Sequence, residues 1–258
     1  KGFIINEEEI IDEALFFQKL QECQRIGLDL IFSSDDIHTR LLQKLCITFN
    51  ENKTYWTARL ELANKILDTV WADREKEVAA EDIKNILLYR FPLQMCAKWI
   101  DLSQIHYLID HVGRHSLPDV AQGILGISLK DNLCAERSMA SFLLIGPLQE
   151  KIKKVSMDRI YEMIDAPLIP VLAKMERYGV FINQKFFESL EQEFEAHLFQ
   201  IEEKVAAVSG ERINLKSPKQ VGELLFEKLK LPVIKKTKTG ASTDSRSEER
   251  RVGKECRS

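Results

Sequence analysis

Apolar residues recur every three or four positions in the second half of the chain and alternate in short stretches of the first half. Ile160, Ile164, Leu168, Val171, Leu172 and Met175 form one stripe, which predicts a helix over 156–178 with that stripe turned inward. Pro167 and Pro170 should bend it, because each lacks an N–H and crowds the preceding turn. Gly179 supplies a stop after Tyr178, and Val180–Ile182 reads as a short extended piece. Asn183 is a capping residue. After it, Phe187, Leu190, Phe194, Leu198, Ile201, Val205 and Val208 form a narrow coiled-coil seam, which predicts a long helix closed by Gly210. Two consecutive helices with one seam each predict an antiparallel hairpin, with the seam as packing core and not a cofactor site. Ser217 and Gln220 have the spacing of a capping box, with Pro218 in the first turn of a helix reaching about Lys230.

The first half predicts a mixture. Phe3–Ile5 reads as a short strand and Glu7–Gln21 as a helix. Glu7, Glu8 and Glu9 would then sit in its first turn, where acids favour the helix dipole. Leu28–Phe32 is β-rich, and Leu41–Phe49 with Thr54–Ala58 reads as a hairpin turning at Asn50–Asn52. Helical patterns follow at Ala63–Trp71, Asp82–Tyr89, Asp101–Ile109, Pro118–Leu125 and Ala135–Lys151. Strands followed by helices predict an α/β sheet flanked by helices.

Composition adds a few constraints. The 258 residues have room for one large or two modest domains, and 45% hydrophobic content suffices for packed cores. No apolar run approaches the roughly 20 residues of a membrane span, so no membrane partner is expected. There is no signal peptide, the first residue is Lys1 and not Met, and the expectation is an internal piece of a cytoplasmic protein. Cys23, Cys46, Cys96 and Cys134 lack C-x-x-C spacing, which suits reduced thiols. Net charge is -3, yet residues 213–239 hold seven Lys against two acids, Glu223 and Glu227. A positive block in an acidic chain points to phosphate. Residues 246–258, RSEERRVGKECRS, resemble the translation of a sequencing adapter. They are set aside as read-through, with Cys256 among them.

The basic block has a specific form. Asn214, Ser217, Pro218, Lys219 and Gln220 open it, and Leu225, Phe226, Lys228 and Leu229 follow. Leu231, Pro232 and Val233 then lead to Lys235-Lys-Thr-Lys-Thr-Gly240, Ser242 and Thr243. This order resembles the thumb of family A DNA polymerases, the bacterial polymerase I type. PLIPVLAKMERYGVFIN, at 167–183, resembles the start of the polymerase domain in that family. The resemblance covers roughly 158–244. It implies an α/β ribonuclease-H-like, exonuclease-like domain over 1–155, followed by an all-α thumb helical hairpin over 156–245, without fingers or palm. It also implies a monomer that binds primer–template DNA in replication and repair. The DNA contacts would come from Asn214, Ser217, Lys219, Gln220, Lys235, Lys236, Thr237, Lys238, Thr239, Gly240 and Ser242. Deoxynucleotides and Mg²⁺ would serve the parent nucleotidyltransferase, with no cofactor in this piece.

The resemblance has a gap where nuclease chemistry would sit. The family's 3′–5′ exonuclease holds two divalent ions on carboxylates, which activate a water and stabilise the leaving oxygen. Its Asp-x-Glu slot here reads Asp29-Leu30-Ile31. Its Asn-x-x-x-Asp slot reads Asp82-Ile-Lys-Asn-Ile86, and its Tyr-x-x-x-Asp slot reads Leu133-Cys-Ala-Glu-Arg137. A slip of one residue would bring Glu136 into the last position. Gly113-Arg114-His115 resembles the middle of that domain more weakly. One carboxylate of four does not hold two Mg²⁺ ions, so a vestigial domain is expected, with no catalytic and no metal-ligating residues. An active 3′–5′ exonuclease is the alternative that Ile31, Ile86 and Arg137 oppose. A non-catalytic nucleic-acid-binding adaptor shares the same contact residues but has no need of a polymerase-like hairpin. His106, His111 and His115, near Asp101 and Asp110, could be imagined around a metal, but Gly113 breaks the helix that would align them. Asp35-Asp36 reads as a solvated turn.

Overall fold

The expected hairpin forms at Asn50–Asn52. Strands β3 (Leu42–Asn50) and β4 (Lys53–Thr57) pair antiparallel, and Asn52 N–H donates to Asn50 Oδ1 at 3.1 Å across the turn. The computed structural model describes residues 5–92, 94–129 and 133–230, together with the backbone of 236–237 and 240–241. The chain divides into two units, Lys1–Gly179 and Val180–Ser258.

The first unit is built on a six-stranded mixed sheet. Strand β2 (Arg25–Phe32) pairs antiparallel with β3 and parallel with β5 (Glu77–Ala80). Strand β6 (Lys98–Asp101) extends that parallel edge, and β1 (Asn6–Glu9) runs parallel to β4 at the other edge. The order is β1-β4-β3-β2-β5-β6. Alternation along the strands divides the side chains between two faces. Ile26, Leu28, Leu45, Ile47 and Val78 pack with α1 (Glu13–Glu22), α2 (Leu60–Ala72) and α3 (Ile83–Tyr89). Ala79 and Ile100 pack with α4 (Leu102–Ile109), α5 (Leu117–Leu125) and α6 (Cys134–Lys154). The sheet is therefore covered on both faces.

Gly27 is where α6 meets the sheet. A Cβ there would lie 2.2 Å from Ser138 O and 2.5 Å from Phe142 N. Ser138 Oγ donates to Gly27 O at 2.9 Å and lies 2.9 Å from the Thr48 hydroxyl, which meets that of Thr54 at 2.7 Å. These buried hydroxyls satisfy one another in the layer between helix and sheet.

Several expectations are corrected. Glu7–Glu9 is strand, not a helix's first turn: Glu7 pairs with Lys44 of β3 at 3.1 Å and Glu8 with Lys53 of β4. The expected strand Phe3–Ile5 lies largely outside the described residues. Strands β5 and β6 were not anticipated. The helical run after α6 comprises α7 (Asp158–Ile160), a π turn (Tyr161–Asp165) and α8 (Ala166–Tyr178). Ala166 N–H reaches back to Tyr161 O, so the irregularity falls just ahead of Pro167. The stripe Ile160, Ile164, Leu168, Val171, Leu172 and Met175 is exposed. Tyr161, Ile169 and Ala173 are buried instead. Ile169 and Ala173 join the core shared with α3, and Lys84 pairs with Glu176 at 2.5 Å. This packing assigns the run to the first unit, beyond the boundary expected at 155/156.

In the second unit, α9 (Gln184–Ser209) begins where Asn183 Oδ1 accepts from Phe186 N–H at 3.2 Å. It ends at Gly210, at φ 76°. Val180–Ile182 is not a strand, and its side chains are exposed. None of the residues of α9 is buried. Most of the seam expected as core is solvent-facing, with Leu198 53% exposed, while Leu190 and Val205 are half-buried. Helix α10 (Pro218–Gly222) continues into a π turn (Glu223–Lys228), in which Leu224 is buried. Two short strands, β7 (Lys236–Thr237) and β8 (Gly240–Ala241), pair antiparallel.

Candidate functional site

Strands β2 and β5 run parallel, so their carboxyl ends open on the same edge of the sheet, where α/β folds place ligands. Gly27 pairs with Ala79. Continuing that register puts Asp29 beside Glu81 on the face covered by α6. Arg137, in the first turn of α6, reaches between them. Its Nε donates to Asp29 Oδ1 at 3.1 Å, and its Nη2 donates to Glu81 Oε2. These three residues line a cleft of about 370 Å³ together with Ile31, Asp35, Asp82 and Ile86. The three sequence slots read as degenerate nuclease motifs therefore converge on one cleft. It is Arg137, and not Glu136, that lines it.

Electrostatics in the cleft are dominated by burial. Desolvation pushes Asp29 up to about 6, against the pull of Arg137. Burial also opposes the charge of Arg137, but Asp29 and Glu81 together leave its pKa raised. A bridge spanning two carboxylates keeps the guanidinium charged. On the rim, Arg40 lies over the Phe32 ring at 4.0 Å and donates to Asn85 Oδ1 at 2.5 Å and Asn85 O at 2.8 Å. Beneath the cleft floor, burial raises the Cys134 thiol, which donates to Asp29 O at 3.3 Å.

The family resemblance implies two divalent ions at this place, and the donor set does not fit them. Ile31 and Ile86 offer no oxygen, and the two closest acids, Asp29 and Glu81, already accept from a fixed cation. Among the described residues no group of three or more His, Cys, Asp or Glu is arranged to hold a metal. Sequence reading missed Glu81, because the strand that delivers it went unrecognised. Its one sequence signal was its place next to Asp82.

Other candidates resolve into structural roles. His106 and His115 meet through their Nδ1 atoms at 2.9 Å, with Tyr107 edge-on to His115. Burial lowers His106, and His115 adds to that effect. Asp101 is buried: it accepts from Gln104 N–H at 3.0 Å and from Ile83 N–H at 2.9 Å. Burial raises Asp101 to about 7 although these N–H donors pull the other way. Asp36 closes a turn, accepting from His38 N–H at 3.0 Å and Thr39 Oγ1 at 2.8 Å, while Asp35 faces the cleft.

In the second unit, Asn214, Ser217, Lys219 and Gln220 are brought together. Ser217 Oγ accepts from Gln220 N–H at 3.5 Å, as the capping box requires. The return bond differs from the expectation: Gln220 Oε1 accepts from Asn214 N–H at 2.7 Å. Asn214 Oδ1 accepts from Lys216 N–H at 2.9 Å, which tightens the approach to the helix. Lys219 is exposed, with Glu223 a loose 4.0 Å away. Lys235, Lys238, Thr239 and Ser242 lie outside the described residues, as does the segment 246–258. Of Lys236, Thr237 and Gly240 the backbone pairing is described: Thr237 faces Gly240 and Lys236 faces Ala241.

Residues 184–251 match the family described as DNA polymerase family A. The match includes the first residues of the segment expected to be extraneous. The chain is 40% identical over 114 residues to DNA polymerase I of Caldicellulosiruptor bescii, covering 43% of this chain and 13% of that protein. It is 48% identical over 80 residues to that of Lactococcus lactis, covering 31% and 9%. With that of Synechocystis it shares 31% over 179 residues, 60% of this chain and 18% of the relative. The chain thus spans under a fifth of these relatives. Its fold resembles the POL domain of Pol1 from M. smegmatis, solved with DNA primer-template and dNTP. That likeness has a TM-score of 0.75 at 23% identity and covers 96% of this chain and 46% of the other. The likeness to bacterial family A DNA polymerases read from the thumb-like motifs is borne out.

Proposed function

We propose that this chain is a piece of a DNA-directed DNA polymerase of the bacterial polymerase I type. Its second unit is the thumb region that grips primer–template DNA. Its first unit is a ribonuclease-H-like, exonuclease-like fold whose nuclease chemistry has been lost. The observation that carries the parentage is the 184–251 match, which spans α9, the Ser217 cap and the lysine–threonine segment. The convergence of Asp29, Asp82–Ile86 and Arg137 on one cleft supports the reading of the first unit. A guanidinium stands where that reaction would need carboxylate oxygens, which disfavours an active exonuclease. No step of nucleotidyl transfer is assigned to residues of this chain.

DNA binding rests on charge and backbone approach. Lys219, Lys235, Lys236 and Lys238 supply ammonium groups, and Ser217, Thr237, Thr239 and Ser242 supply hydroxyls. Asn214 and Gln220 shape the turn that presents Lys219, and Gly240 lets backbone come close to phosphate. Such contacts track the sugar–phosphate backbone without reading sequence. Fluorescence anisotropy of a primer–template duplex over a salt series tests this. Changing Lys235, Lys236 and Lys238 together to alanine should reduce the log–log salt slope by roughly 0.9 for each phosphate no longer neutralised. It should weaken all duplex sequences alike. An unchanged slope places the DNA contact elsewhere.

A further inference from the structure

Four carboxylates, Asp29, Glu81, Asp82 and Asp35, line one cleft. Left bare, Asp29 and Glu81, which share one guanidinium, would repel each other and favour a cation between them. Two cations of the chain itself address the cleft. Arg137 bonds both Asp29 and Glu81, and Arg40, held by Asn85, feels the charges of Asp82 and Asp35. The side chain of Asp29 is 12% exposed and that of Arg137 23%, so this pair is shielded from solvent. Charges so placed are costly to leave unpaired.

We propose that Arg137 is a built-in counter-cation: its guanidinium occupies the electrostatic place of a divalent ion between Asp29 and Glu81, holds β2, β5 and α6 together at the cleft, and makes the domain independent of metal. The proposal rests on the inert-cleft reading and adds its physical cause. Loss of metal ligands alone would leave a repulsive acidic pocket, whereas the bridge turns that pocket into a tie between sheet and helix. Removing the guanidinium should expose the carboxylates and restore a demand for a cation.

Thermal unfolding of the full chain, titrated with Mn²⁺ to millimolar levels, tests this. The unmodified chain should show no saturable Tm shift. Arg137→Met should melt lower and regain stability on Mn²⁺ addition, because the cation binds only its folded state. The triple change Asp29→Asn, Glu81→Gln, Arg137→Met should melt near the unmodified chain and ignore Mn²⁺. A folded Arg137→Met chain that ignores Mn²⁺, or an unmodified chain that responds equally, overturns the proposal. If Arg137→Met does not fold, the triple change decides: recovered folding supports a charge effect, and continued failure overturns it. Metal-dependent hydrolysis of a labelled single strand by the unmodified chain would instead refute the inert-cleft reading, a failure distinct from a missing Mn²⁺ response in the variant.

Discussion

Gly27→Ala should be among the most damaging small substitutions in the chain. The added Cβ would lie 2.2 Å from Ser138 O, 2.5 Å from Phe142 N and 2.9 Å from Phe142 Cβ. Ordinary van der Waals contact lies between 3.4 and 4 Å. Strand β2 and helix α6 would have to part by about 1 Å, since every obstructing atom belongs to the helix backbone or to a Cβ rooted in it. Overpacking of this kind costs about 1–3 kcal/mol. Parting also stretches the Ser138 Oγ bond to Gly27 O, a further ~1 kcal/mol. A loss of about 3 kcal/mol is expected. Gly123→Ala is the internal control: it sits in α5 with nothing within 4 Å of its Cβ position. It should gain about 0.5–1 kcal/mol from reduced unfolded-chain entropy. Urea unfolding followed by circular dichroism measures both. A Gly27→Ala loss below about 1 kcal/mol would show that the sheet and α6 do not approach as closely as described, and would loosen the basis of the Arg137 bridge.

Leu198→Ala should cost well under the ~2–5 kcal/mol of a buried leucine, because its side chain is half exposed; a larger loss in urea melts would mean that the α9 seam is covered. Asp101 titrates near 7 in the fold, above the ordinary aspartate value, so its neutral form favours folding. That contribution is full below the unfolded pKa of ~3.9 and is lost as pH rises through about 7. Asp101→Asn should therefore flatten the fall in stability between about pH 4 and pH 7; an unchanged slope assigns it to another group.

Local signals were legible wherever one residue type acts alone. The Asn50–Asn52 turn, the Asn183 and Ser217 caps and the Gly210 stop all appear in the structure at the expected places. Strands β5 and β6 were not legible. Each is four residues long, and EVAA and KWID show no alternation to distinguish them from a loop. Their conformation comes from pairing with β2 and with each other. Glu7–Glu9 carries an acidic, helix-like pattern that parallel pairing with β4 and two lysine partners override.

The residue pattern by itself determined most of the helices, the Asn50–Asn52 hairpin, the basic block and the family likeness, because each depends on spacing within a few turns of chain. It also showed that, of the positions the resemblance would fill with metal-binding carboxylates, Asp29 alone keeps one. Only the tertiary structure decided what replaced them. Asp29 and Arg137 are separated by |i−j| = 108 in sequence and meet at 3.1 Å because Gly27 lets α6 lie against β2. Glu81 reaches the same point because β5 pairs in parallel with β2. The burial of Ile169 and Ala173 in place of the neighbouring stripe was likewise decided by α3, the surface α8 meets. Periodicity shows that a helix has an apolar face, and packing partners remote in sequence select which face is covered.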